Sequence, residues 1–249
     1  PPCSSFSLAG NREDDWGKEK HFREGQSLQQ LDDLFFDYIS LGSVLLPRVI
    51  VAENVVGLVQ GNAKAYVHQI CQQFDQIGYR VQMFRLNAAS MGVPQRRERI
   101  FFICLRKDLN LPLLKLEFSQ KPITVAEVEK NIPSSVGKPI TDAYKKWWEK
   151  CKPGNSLSSV HPEGSFFNTY KIWRNRVCPT ITATVASKLL HYSEPAEIHN
   201  DMYKLCGSFP MDYDFQEIDP KYLIGMSVPP VMMAQISNQI YIQWISKLK

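Results

Sequence analysis

No two of the six cysteines (Cys3, Cys71, Cys104, Cys151, Cys178, Cys206) form a Cys-x-x-Cys pair. None stands at zinc-ligand spacing, so no structural metal is expected and no metal cofactor is assigned. Five of them read as reduced, structural thiols of a cytosolic protein. No apolar run reaches the length needed to span a bilayer, and no secretory leader is recognisable, so no membrane partner is expected. There is no internal repeat and no low-complexity tract. Charge of one sign is also scarce: 29 basic residues stand against 25 acidic ones, a formal net charge of +4. That excess alone argues only weakly for a polyanionic partner.

What remains is an ordinary globular composition, with 249 residues of which 44% are hydrophobic, enough for one large or two small domains. Residues 4–26 are polar, with three glycines, and predict a long surface loop. Leu28, Leu31, Leu34, Phe35, Tyr38 and Ile39 recur at helical spacing and predict a helix from Ser27 to Leu41, stopped by Gly42 and Pro47. Arg48–Ala52 is a short β-branched run, read as a buried parallel strand with Glu53-Asn54-Val55 at its C-terminal end. In open α/β sheets that edge binds ligands. A second helix is expected over 63–76, with Tyr66, Val67, Ile70, Cys71 and Phe74 inward and Gly78 as its stop. Strands follow over 79–86 and 99–105, flanking a loop that carries Gln95-Arg96-Arg97. Helix and strand alternate, which predicts a doubly wound α/β arrangement.

Beyond Arg106 the periodicity breaks down. Between Lys138 and Lys188 nine basic residues face three acids, with Tyr144, Trp147, Trp148, Tyr170 and Trp173 interleaved. That pattern fits a nucleic-acid-facing surface or a solvated basic face. Pro229–Leu248 predicts a closing helix with Met233, Ile236, Ile240 and Trp244 inward.

Pro1-Pro2-Cys3 alone fits either a rigid turn presenting a nucleophile or a buried inert thiol. Glu53 alone could simply satisfy a neighbouring helix or loop. The arginine run is suited to phosphate or a base carbonyl, or to water. Taken in order, however, the blocks resemble one family. Pro1-Pro2-Cys3-Ser4-Ser5-Phe6-Ser7, Glu53-Asn54-Val55, Gly92-Val93-Pro94-Gln95-Arg96-Arg97-Glu98-Arg99-Ile100 and Gly225-Met226-Ser227-Val228-Pro229-Pro230 look like the signature blocks of the DNA (cytosine-5)-methyltransferases. Cys178-Pro179-Thr180-Ile181-Thr182-Ala183 and Leu205-Cys206-Gly207-Ser208-Phe209-Pro210 are similar to the end of that family's target-recognition domain.

The resemblance implies an α/β fold, the C-terminal part of a Rossmann-like S-adenosylmethionine-dependent methyltransferase domain with a smaller, irregular target-recognition domain. The implied boundaries are 1–115 catalytic, 116–215 target recognition, and 216–249 returning to the catalytic domain. Cys3 matches the nucleophile that adds to C6 of cytosine. Glu53 matches the glutamate on the N3 and amine edge, which must share or give a proton there. Arg99 matches the arginine on O2, and Arg97 a neighbour supporting the cysteine loop and a phosphate. Pro2, Leu34, Met226 and Val228 match positions lining the S-adenosylmethionine site. Ser7, Gln95, Arg96, Lys145, Lys146, Arg174, Arg176, Thr180 and Thr182 are the candidate contacts to duplex DNA. The target base would be flipped out, with residues 4–26 as the lid behind it.

Three departures qualify the resemblance. Met226 stands where the family usually has asparagine. His191-Tyr192-Ser193-Glu194-Pro195-Ala196-Glu197 replaces the usual penultimate block. The family's Gly-rich strand–turn–helix and its following acidic residue are absent, so a complementary N-terminal portion or subunit is expected to supply them. The location implied is cytoplasmic in a bacterium or phage host, or nuclear in a eukaryote. Two other readings stay open: the tRNA-methylating branch, whose short Cys-Phe-Thr signature is missing here, and a non-catalytic DNA-recognition subunit.

Overall fold

The computed structural model describes residues 19–20, 29–30, 34–60, 63–184 and 187–248. They form two compact units. One holds the described residues as far as Leu86, then Glu98–Leu116 and the chain from Gln239; the other holds Asn87–Arg97 and Glu117–Asn238. No helix among the described residues is long and apolar enough to cross a membrane.

In the first unit, two short strands, β1 (Glu19–Lys20) and β2 (Gln29–Gln30), pair antiparallel. The expected helix from Ser27 therefore starts later, and α1 runs Leu34–Leu45. It also passes through Gly42 instead of stopping there. A Cβ at Gly42 would come within 2.8 Å of the Ile50 Cδ1 atom, so the glycine lets helix and strand approach closely. The lid expectation for residues 4–26 falls mostly outside the described residues.

Then come β3 (Val49–Val55), α2 (Lys64–Gln76), β4 (Tyr79–Asn87) and β5 (Glu98–Arg106). Gly78 takes φ +87° just beyond α2, the left-handed stop that the sequence predicts. The strands are ordered β3-β5-β4, and β3 pairs with β5 antiparallel, Glu53 opposite Phe101. The parallel strand expected at Arg48–Ala52 thus has an antiparallel neighbour among the described residues. A β-branched run reports burial, which either pairing provides. β5 buries six consecutive residues, as a central strand covered on both faces does.

Ile50, Ala52, Ile100, Phe102 and Cys104 pack with Phe35 and Ile39 of α1 and Ile70 and Phe74 of α2. Phe35 meets Phe102 and Phe74 edge to face, with centroids 5.5 and 6.4 Å apart. Tyr66, Val67 and Cys71 sit half-buried at the margin of this cluster.

In the second unit, α3 (Val125–Glu129) opens with a capping box between Thr124 and Glu127. Next come β6 (Val136–Pro139), α4 (Asp142–Lys150), β7 (Thr169–Lys171), β8 (Lys188–Leu190), β9 (Ala196–Ile198), α5 (Asn200–Cys206) and α6 (Pro220–Met226). The strands make one sheet, ordered β6-β9-β8-β7. Strands of three or four residues are too short to show a period, which is why the sequence reads as irregular there.

The last helix, α7, runs Pro230–Gln243. Its buried residues are Met232, Ile236 and Ile240, with Trp244 just beyond. Met232 therefore takes the inward place expected for Met233, because a strict four-residue step carries the buried face back from Ile236.

The segment His191–Pro195 joins β8 to β9. The His191 ring is buried, with Nε2 3.1 Å from Ser135 Oγ and 3.5 Å from a Glu129 carboxylate oxygen. Its Nδ1 accepts the Ser193 and Glu194 N–H groups at 3.3 and 3.2 Å. Burial holds the imidazole below its ordinary value, while Glu129 and Glu194 pull the other way.

Two outcomes follow from this packing. Phe74→Ala empties a fully enclosed site and lowers unfolding free energy by about 3–5 kcal/mol, measured by urea titration. His191 binds its proton more readily in the unfolded chain, whose value is about 6.5. Its stabilising contribution is complete above that value and is lost as pH falls through and below it. A urea midpoint that drops on acidification in the parent, and drops less steeply in His191→Gln, is the expected result.

Candidate active site

In the first unit the end of β3 presents Glu53, and β5 presents Arg99 one diagonal step away across the pair. Arg99 Nε donates to Glu53 Oε1 at 2.9 Å, and its Nη1 donates to the Glu98 carbonyl at 2.8 Å. Both side chains keep some solvent access, 29% for Glu53 and 13% for Arg99. A carboxylate held by one guanidinium on a strand end can still meet a ligand with its second oxygen. Asn54 is buried beside it. Its Oδ1 accepts the Val55 N–H at 2.9 Å, while its buried Nδ2 finds no acceptor among the described residues. Leu34 opens α1, half-buried. Pro2, Cys3 and Ser7 lie outside the described residues.

In the second unit the stretch Gln95-Arg96-Arg97 is extended and alternates inward, outward, inward. It lies parallel to 178–181: the Cys178 N–H donates to the Pro94 carbonyl at 3.1 Å and the Arg96 N–H to the Cys178 carbonyl at 2.8 Å. Gln95 is fully buried, with Nε2 on the Cys206 carbonyl and Oε1 accepting the Ile181 N–H, both at 3.2 Å. Arg97 is 2% exposed. Its guanidinium donates to the carbonyls of Ile181, Gly225 and Ser227, each at 2.8 Å.

Gly225 packs so closely on 182–183 that a Cβ would lie 2.3 Å from the Ala183 nitrogen. The obstacle is backbone and cannot rotate away. Arg97 and Gly225 together hold the Gly-Met-Ser-Val block against the Thr-Ile-Thr-Ala segment, leaving Met226 42% exposed and Val228 half-buried.

Two candidate DNA contacts, Gln95 and Thr182, and the candidate catalytic Arg97 have their polar groups enclosed. Gln95 has no accessible surface, and its amide is spent on backbone groups. The Thr182 hydroxyl oxygen is buried. Arg97 is buried with its guanidinium on backbone carbonyls. Thr180 braces too, its hydroxyl donating to the Arg96 carbonyl at 2.6 Å. Arg96 points outward and stays exposed. Lys145 and Lys146 are exposed on α4, with Lys146 Nζ 4.8 Å from the Trp147 ring centroid. Arg174 and Arg176 are exposed on the turn after β7.

Residues 1–242 match the family model described as C-5 cytosine-specific DNA methylase. The chain belongs to that family. Among curated members, the Type II methyltransferase M.NgoFVII of Neisseria gonorrhoeae is 28% identical over 96% of this chain and 67% of its own length. The Type II methyltransferase M.MthTI of Methanothermobacter thermautotrophicus is 32% identical over 92% of this chain and 63% of its own. The chain thus spans about two thirds of these two methylases, and 58% of a third, M.FnuDI of Fusobacterium nucleatum. In fold it is similar to a prophage-encoded protein of Escherichia coli assigned as a DNA modification methyltransferase. The TM-score is 0.65 at 19% identity, over 85% of this chain and 74% of that one.

Sequence reasoning named the residues around the brace but not the carbonyls that Arg97 holds, since a backbone acceptor leaves no mark in residue type. Arg97→Lys keeps the charge but loses the planar fork. With at least one carbonyl left unmet, it should lower stability by about 2–3 kcal/mol, read as a shift in denaturant midpoint.

Proposed function

We propose that this chain carries the cytosine-handling and DNA-reading part of an enzyme that methylates C5 of cytosine in duplex DNA, with S-adenosylmethionine as methyl donor. The observation that carries the reading is the Glu53–Arg99 pair at the end of β3, in a chain matched by the C-5 cytosine-specific methylase model.

C5 of cytosine is a weak nucleophile. The Cys3 thiolate adds to C6, and the ring becomes an enamine whose C5 can take a methyl group. Glu53 supports this by bonding the N3 edge and sharing its proton as negative charge builds there. Arg99 holds Glu53 in place and offers its remaining N–H groups to O2. After transfer the C5 proton leaves, the C5–C6 double bond re-forms and the thiolate departs. Because these edges are hidden in a duplex, the target base is extruded first.

Leu34, Met226 and Val228 are apolar and retain solvent access, which suits contact with a flat ring but not with polar termini. S-adenosylmethionine, when bound, supplies an electrophilic methyl group. Its Gly-rich cradle is assigned to the part of the relatives that this chain does not span, whether joined to it or carried on a separate subunit. Residues 116–215 are assigned to target recognition.

Duplex DNA carrying 5-fluorocytosine, mixed with labelled donor and the chain supplemented by a relative's N-terminal part, should trap a labelled covalent adduct. Cys3→Ser should abolish it, and Glu53→Gln should slow its formation by about 10²–10⁴-fold. Absence of an adduct at every site tested would favour a recognition subunit without catalysis. Labelling of tRNA in place of DNA would favour the RNA-methylating branch.

A further inference from the structure

The exposed turn after β7 carries two of the candidate DNA contacts, Arg174 and Arg176, beside Trp173 and Asn175, which no site described above uses. Trp173, Arg174, Asn175 and Arg176 are all exposed, yet they stand between the buried residues Ile172 and Cys178. Their backbone is pinned. The Ile172 N–H donates to the Leu190 carbonyl at 2.9 Å, which fixes where the turn leaves the sheet. The Ala126 N–H donates to the Arg174 carbonyl at 2.8 Å, and the Val125 N–H to the Arg176 carbonyl at 2.9 Å. These are the first amides of α3, which a helix cannot satisfy internally. Here they clamp the turn.

The side chains are held as well, though less tightly. The Trp173 indole lies on Gly154, where a Cβ would fall 1.4 Å from its Nε1; Gly154 also takes φ +90°. The Arg176 guanidinium sits 5.0 Å from the centroid of the same ring. Arg174 Nε reaches Glu129 Oε2 at 3.4 Å. The Asn175 side chain makes no hydrogen bond among the described residues.

We infer that this turn reads base edges in duplex DNA, with Asn175 and Arg176 as the specificity-determining side chains and Trp173 as a flat contact beside them; the inference rests on the DNA reading proposed above. Arginine pairs with the O6 and N7 of guanine, asparagine with the N6 and N7 of adenine, and an indole offers an apolar face to a base or a thymine methyl. No acid lies within the turn to repel phosphate. A pre-set backbone leaves little to order on binding, which is what discrimination between similar sites requires. Arg174, already engaged by Glu129, is suited to a phosphate contact that sets register and not to base readout.

The test is selection from a pool of duplexes with a randomised central segment, using the full chain and sequencing what it retains. The parent should enrich a motif. Asn175→Ala and Arg176→Ala should each relax the preference at one position by about tenfold, with unchanged thermal midpoints because both side chains are exposed. Lys145→Ala should weaken retention of all sequences alike. If both turn variants keep the parent's motif at full contrast, the inference is overturned and the DNA reading stands. If the parent retains all duplexes equally, the turn reads no bases and the inference falls. If the parent retains no duplex at all, the proposed DNA reading falls with it.

Discussion

A guanidinium closed off from solvent, with three backbone carbonyls at 2.8 Å, holds the second unit together. Arg97 ties Ile181 to Gly225 and Ser227, stretches far apart in sequence. Gln95, two residues earlier, ties Cys206 to Ile181. Taking a cation out of water is costly unless its donors are met. The planar fork of arginine can meet several carbonyls at once, which a lysine ammonium of similar reach does less well. The backbone of 225–227 is therefore set by a side chain 130 residues upstream, and the exposure of Met226 and Val228 follows from it.

The arrangement separates arginines that look alike when read as a string of residues. Arg97 lies inward and organises backbone, Arg96 lies outward in solvent, and Arg99 reaches across the sheet pair of the first unit to Glu53. The two-residue period of extended chain sends the neighbours Arg96 and Arg97 to opposite sides, while Arg99 differs from Arg97 because β5 sets it beside Glu53. Three chemically identical side chains thus acquire three environments within four residues.

Parts of the fold were legible where one physical signal dominated. The run at 49–55, the helix at 64–76 and its left-handed stop at Gly78 follow from β-branching, helical spacing and the freedom of glycine. The start of α1 was not legible, because Leu28 and Leu31 extend the helical spacing of Leu34 and Phe35 into a stretch where Gln29–Gln30 pairs as a strand. Gly42 was misleading for a related reason. It looks like a stop, but its role is to let Ile50 approach, and that contact exists only once helix and strand are packed. The small sheet of the second unit was invisible because its strands are too short for a period. The Thr124-Val125-Ala126-Glu127 capping box, by contrast, was legible in principle as Thr-x-x-Glu.

The order of the sequence blocks pointed to the family that the match over residues 1–242 shows. Residue type likewise marked Glu53 and Arg99 as partners worth testing. Tertiary structure alone decided which of the marked polar residues face inward. Gln95, Arg97 and Thr182 carry the same donors and acceptors as residues that touch DNA, but here those groups are taken up or enclosed by the protein itself. Burial and the placing of backbone carbonyls are properties of packed chain, not of residue type, and they separate a side chain that builds the site from one that can reach a ligand.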